Sequence, residues 1–220
     1  ALNEIESYFA ALPANKKPKK PRVAEKQTSP QVGIKYEKSS QAHFQLGFRS
    51  VPAGHKDKPV IDVLRTILGV GMSSRLFKKL REEMGVCYYV RAETESHSDH
   101  GKFTIASGVD ITRIDQVLEM IRDELRLIKS IPVESAELKK AKEYLLGNTV
   151  MNLESSDDIA EYFGAQEILH QPLTTLGEYR RKINSVTSRD VIRVASNIFQ
   201  NKNGLPLTDS PYGTAHYPFG

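Results

Sequence analysis

All of the strand patterning lies in the first half of the chain, and the second half is patterned as helices alone; this order limits the folds that the chain can adopt. Residues 42–51 alternate apolar and polar side chains, the period of a strand with one buried face. Two further strands are predicted at 86–95 and 102–109, joined by a polar turn containing Gly101 as a hairpin. From Ile114 onward the apolar residues recur at helical spacing. The pattern predicts an α+β fold, a two-layer sandwich of a mainly antiparallel sheet with helices packed on one face.

Start and stop signals divide the helical regions. Pro59 is expected near the start of one helix, and Gly69 near its end. A second helix is predicted at 73–84, with Gly85 as its stop. Later helices are expected along the apolar stripes of 114–128, 138–150, 159–168, 176–183 and 191–199, with caps at Ser155 or Ser156 and at Thr187.

The two ends of the chain differ in composition from its middle. Residues 1–13 are predicted to be the end of a preceding domain, and the Lys/Pro-rich residues 14–30 to be a linker. The basic run in that linker is also compatible with a nucleic-acid or membrane contact. The main domain is expected at 31–204, and 205–220 is a degenerate last strand or a disordered tail.

Composition excludes several classes of protein. The single cysteine, Cys87, rules out a disulfide framework and a multi-cysteine zinc site. No apolar run reaches the roughly 20 residues of a membrane span. The net charge of +4 is too small to indicate nucleic-acid binding by itself. Ala1 suggests a fragment or a processed product, and the lone cysteine and missing signal peptide favour a reducing, cytoplasmic compartment.

Catalytic signatures of the commonest kinds are absent from the sequence. There is no HExxH or HxxEH pair for zinc and no phosphate-binding Walker run. His97 and His100 are close in sequence, but they fall in a predicted turn without an intervening glutamate, which favours surface histidines over a metal site. Cys87 lies in an apolar strand context, which favours an unreactive thiol.

Residues 71–90 read GMSSRLFKKLREEMGVCYYV. This stretch resembles the second-domain signature of the pitrilysin, insulinase and mitochondrial processing peptidase family of inverted-zincin metallopeptidases, and the resemblance extends over 42–200. It implies the C-terminal, inactive half of such a peptidase, which carries no metal motif and is inactive alone. By motif match, Arg81 and Tyr88 are implied to bind substrate, whereas Arg75 is expected to support the fold. Without the resemblance, the residues favour a surface ion pair of Arg81 with Glu82 or Glu83, and a core position for Tyr88.

The resemblance also implies what this half works with. Zinc and the general base are expected in a separate HxxEH-bearing catalytic half, supplied by the same polypeptide or by a partner subunit of a homo- or hetero-oligomer. Peptides are the expected substrates, to be enclosed and oriented for hydrolysis. The alternative is a proteolytically inactive structural or assembly subunit of a larger complex. The residues alone leave a third, weaker possibility, in which the basic linker binds nucleic acid.

Overall fold

A computed structural model describes residues 2–13, 20–21, 23–24, 27–36 and 38–200. The predicted linker, 14–30, lies partly outside the described residues, and the predicted tail, 205–220, lies wholly outside them. The domain predicted at 31–204 contains its first strand at Gln41. The structure has the helices and strands α1 (Leu2–Phe9), β1 (Gln41–Ser50), α2 (Lys58–Gly69), α3 (Arg75–Phe77), β2 (Cys87–Ser96), β3 (Gly101–Asp110), α4 (Ile114–Ser130), α5 (Ser135–Met151), α6 (Ser156–Ile168), α7 (Leu176–Ser185) and α8 (Ser188–Ile198).

The three strands of the described chain form one antiparallel sheet in the order β1–β3–β2. The predicted hairpin of β2 and β3 is confirmed, and β1 pairs with the other side of β3, with Gln41 opposite Asp110 and Ser50 opposite Gly101. Because β3 is central, its backbone is bonded on both sides and its side chains are mostly buried.

The core lies between one face of the sheet and the helices. Phe48 of β1 and Phe103 of β3 pack edge-to-face on Phe199, with ring centroids 5.0 and 5.2 Å apart. Helices α2, α4 and α8 contact strands β2, β3 and β1 respectively. His43 and Gln45, which alternate with the buried strand residues, are exposed. The arrangement is the predicted two-layer α+β sandwich.

The helix starts confirm the capping predictions. The side chain of Ser155 accepts a hydrogen bond from the amide of Asp158, and Thr187 accepts one from Asp190. In each pair the aspartate carboxylate also accepts a hydrogen bond from the backbone amide of the capping residue, which completes a capping box. Local side-chain chemistry therefore fixes where α6 and α8 begin.

One helix differs from the prediction. The single helix expected at 73–84 is a short α-helical turn, Arg75–Phe77, that continues as a π-helix over Lys78–Glu83. Leu80 is fully buried, and its carbonyl accepts from the amide of Val86 at 3.0 Å. The apolar spacing is compatible with either helix type. The bond from Val86 to Leu80 joins the π-helical segment to the residue before β2.

The helix α1, Leu2–Phe9, lies within the segment predicted to end a preceding domain. It has no buried residue, and the apolar side chains of Ile5 and Phe9 are 53% and 62% exposed, so nothing in the described chain covers its apolar side. That residues 1–13 belong to a preceding domain remains a prediction.

Candidate functional site

The structure brings Arg81 and the backbone next to Tyr88 together. Arg81 lies in the π-helical segment and Tyr88 is the second residue of β2. The Arg81 Nη1 atom donates to the carbonyl oxygen of Cys87 at 2.8 Å. That carbonyl belongs to the peptide group that joins Cys87 to Tyr88, so the guanidinium contacts the backbone immediately before Tyr88.

Tyr88 is at an irregularity of the sheet. The β2–β3 register pairs Cys87 with Val109 and then Tyr89 with Gly108, which leaves Tyr88 as the extra residue of a β-bulge. Adjacent strand residues face opposite sides of the sheet, and Cys87 is 2% exposed while Tyr88 is 51% exposed. The bulge changes the phase of the strand after Tyr88, so that Val90 is buried on the same face as Cys87. The alternative that Tyr88 is a core tyrosine is therefore wrong.

The surroundings of Arg81 are also defined. The sequence allowed Arg81 a surface ion pair with Glu82 or Glu83, but the hydrogen bond that the structure gives its side chain goes to the Cys87 carbonyl. The residues Arg81, Glu82 and Glu83 are all exposed. Arginine keeps its charge at any ordinary pH and has five N–H donors, so a guanidinium bonded through Nη1 still has further N–H groups for a ligand.

The side chains on the neighbouring strands form an ordered aromatic cluster beside the bulge. The Tyr89 hydroxyl lies 3.2 Å from His43 Nδ1, and the two rings stack with centroids 5.8 Å apart. The Arg91 guanidinium carbon lies 5.4 Å from the Tyr89 ring centroid. A Cβ on Gly108 would lie 2.5 Å from Tyr89 Cε1, so the ring can lie across the central strand only because residue 108 is glycine.

Arg75, the other arginine of the motif, has the structural role that was predicted for it. Its Nε and Nη2 atoms donate to the two carboxylate oxygens of Glu137, both at 2.7 Å. Its Nη1 atom donates to Glu124 at 2.9 Å. These contacts join α3 to α4 and α5, and the two carboxylates raise the pKa of Arg75 far above its usual value.

Two other candidate groups do not form a reactive centre. Cys87 is buried, and this burial raises the pKa of its thiol, which keeps it protonated. His97 and His100 stack at 4.5 Å in the β2–β3 turn, where His97 binds Glu95 and His100 binds Asp99, each at 2.8 Å. They are surface histidines held by carboxylates.

Among the described residues, no three His, Cys, Asp or Glu side chains come together as a possible metal site. The residues present in this part of the chain therefore do not fit a zinc centre, and no chemical step is assigned to a metal here. Over the same residues, no helix has both the length and the apolar character needed to cross a membrane.

A separate cleft lies between α6 and the starts of α2 and α8. It has a volume of about 1250 Å³ and neither Arg81 nor Tyr88 lines it. Sequence reasoning identified Arg81 and Tyr88 through the motif. It missed the bulge and the His43–Tyr89 pair, which depend on the register of the paired strands, and it missed the bond from Arg81 to the Cys87 carbonyl.

Comparison with known proteins gives concordant matches. The family described as "Peptidase M16 inactive domain" matches residues 1–145. A Bacillus subtilis protein named "uncharacterized zinc protease YmxG" is 31% identical over 212 residues, which cover 96% of this chain and 51% of that protein. The chain thus spans about half the length of this relative.

Solved structures share the fold. A protease from Helicobacter pylori has a TM-score of 0.80 at 23% identity, covering 92% of this chain and 50% of that one. A peptidase M16 inactive domain from Pseudomonas fluorescens has a TM-score of 0.79 at 22% identity, covering 93% of this chain and 50% of that one. At these identities, the two structures establish similarity of fold.

Proposed function

Because the chain belongs to the peptidase M16 inactive domain family, we propose that it is the non-catalytic, substrate-binding half of a zinc metallopeptidase. It pairs with a catalytic half that carries HxxEH and the zinc ion. Arg81 and Tyr88 hold the peptide backbone while that half hydrolyses it. The name of the B. subtilis relative, a zinc protease of about twice this length, supports the pairing.

One observation carries the proposal. Tyr88 is the exposed extra residue of the bulge, and Arg81 is bonded to the peptide group immediately before it. The tyrosine hydroxyl can donate to a peptide carbonyl or to the oxyanion that forms on it during hydrolysis. The guanidinium can donate to a second acceptor on the same extended peptide. A residue that served only the core would not be 51% exposed at this position.

The two halves have different tasks in this proposal. Peptide hydrolysis by this family needs an activated water, and the described residues of this chain offer no cluster for the metal that activates it. In the proposed pairing, this half contributes orientation of the peptide. Fixing the peptide against the catalytic half lowers the entropic cost of reaching the transition state.

The test uses the chain together with its catalytic half, either in one polypeptide or as a reconstituted pair. We expect Arg81→Ala to lower kcat/KM for peptide hydrolysis by about tenfold or more, a loss of about 1.4 kcal/mol of transition-state binding. Arg181→Ala is the control, because that arginine is on α7 and its side chain is 77% exposed. Equal turnover in the two variants would remove Arg81 from the site.

A second experiment separates this role from assembly. Affinity capture of the native protein, with mass spectrometry of bait and partners, should recover an HxxEH sequence. That sequence should be either in the bait itself or in a partner present in stoichiometric amount. If the partners instead form a scaffold complex without any HxxEH protein, the fold serves assembly and the peptide-binding role is refuted.

A further inference from the structure

Two hydrogen bonds hold the bulge, one on each side of Tyr88. Before it, Arg81 donates to the carbonyl of Cys87 at 2.8 Å. After it, the hydroxyl of Ser107 donates to the carbonyl of Tyr89, also at 2.8 Å. A bulge interrupts the regular strand ladder, so backbone groups beside it depend more on side-chain partners than those in a regular pair.

Ser107 is an unusual residue for its place. It lies in the middle of the central strand, opposite Phe44 on one side and Val90 on the other, and it is 0% exposed. A buried hydroxyl without a partner is costly, and alanine would satisfy the packing. Its hydroxyl donates to the Tyr89 carbonyl and also hydrogen-bonds the Cys87 thiol, and both partners lie beside the bulge. These bonds are the physical reason for a serine here.

The residue after the bulge is held at its other end as well. The Tyr89 ring lies against Gly108, and its hydroxyl contacts His43 across the sheet. Tyr89 is thus fixed through both its carbonyl and its ring. The direction in which the adjacent Tyr88 leaves the strand depends on this fixed neighbour.

We propose that Ser107 is a positioning residue for peptide binding: its hydroxyl fixes the bulge so that the Tyr88 side chain stands out toward the peptide. This inference rests on the proposed function, because it takes Tyr88 as the group that meets the substrate. Ser107 does not touch the peptide, since it is buried in the core. Its effect on turnover passes through Tyr88.

The first test is hydrogen exchange on the 220-residue chain itself, without substrate. Ser107→Ala should speed amide exchange of residues 87–89 by about tenfold, because opening this segment no longer requires the bond from Ser107 to the Tyr89 carbonyl to break. Ile183→Val is the matched control, since Ile183 is fully buried on α7, far along the chain from the bulge. Equal exchange at 87–89 in both variants would overturn the proposal.

The second test measures coupling in the chain paired with its catalytic half. We expect Tyr88→Phe to lower kcat/KM by about tenfold and Ser107→Ala by about fivefold. If Ser107 acts through Tyr88, the double variant should be no slower than Tyr88→Phe alone. Fully additive losses would mean that Ser107 supports turnover by another route, and they would also overturn the proposal.

The two experiments distinguish failure of this inference from failure of the proposed function. Unchanged turnover in Tyr88→Phe, together with faster exchange in Ser107→Ala, would refute the peptide role of Tyr88 but support Ser107 as the residue that holds the bulge. Reduced turnover in Tyr88→Phe with unchanged exchange in Ser107→Ala would support the proposed function and refute the positioning role.

Discussion

Removing the Arg75 side chain should destabilise the domain strongly, and Arg75→Met tests this. Arg75 makes three hydrogen bonds to two carboxylates, and the side chain of Glu124 is only 8% exposed. Methionine keeps much of the packing but leaves that carboxylate without its partner. Breaking a buried ion pair by removing one partner costs about 3–5 kcal/mol. The Glu137 side chain is 32% exposed and can be solvated, so the lower end, about 3 kcal/mol, is expected here.

Urea denaturation followed by circular dichroism measures the loss. With an m value of about 2 kcal/mol/M, a loss of about 3 kcal/mol lowers the midpoint by about 1.5 M. Arg181→Met is the control, because Arg181 is 4.0 Å from Glu178 and its side chain is 77% exposed. An exposed pair of this kind contributes at most about 1 kcal/mol.

A double variant tests the physical reason. Arg75→Met with Glu124→Leu removes the buried carboxylate together with its partner and should recover at least half of the lost stability, since most of the cost is the unpaired charge. The reasoning is refuted if Arg75→Met costs less than about 1 kcal/mol, or if the double variant is no more stable than the single one.

Two further predictions concern packing and pH. Gly69→Ala should lower the free energy of unfolding by about 2 kcal/mol, because a Cβ there would lie 2.5 Å from the Ala92 nitrogen and would force α2 and β2 apart. Gly147→Ala has nothing within 4 Å of the added Cβ and should instead stabilise α5. Thermal unfolding that ranks the two variants in the opposite order would contradict this account. Arg193 donates to both oxygens of Asp57 and holds the pKa of that carboxyl below its ordinary value, so the pair stabilises the fold above about pH 4 and this contribution is lost as pH falls through the lowered pKa. The stability difference between the native chain and Asp57→Asn, measured by urea titrations from pH 7 to pH 3, should shrink on acidification; a constant difference would show that the charge of Asp57 does not matter.

The sequence by itself determined the features that depend on near neighbours. Strand alternation over residues 42–51 and the capping signals at Ser155 and Thr187 are confirmed because each depends on residues within one strand or one helical turn. The motif of residues 71–90 was enough to identify the family and to select Arg81 and Tyr88 as candidates.

The tertiary structure alone decided how these parts meet. The position of β1 beside β3, the bulge at Tyr88 and the Ser107–Tyr89 bond depend on the register between separate strands. The contacts of Arg75 reach residues 49 and 62 positions away. Local propensity carries no information on such pairings, because they are selected by the burial of one shared core. The sequence therefore indicated which side chains could bind a peptide, while the register of the sheet decided that Tyr88 is the extra residue of a bulge.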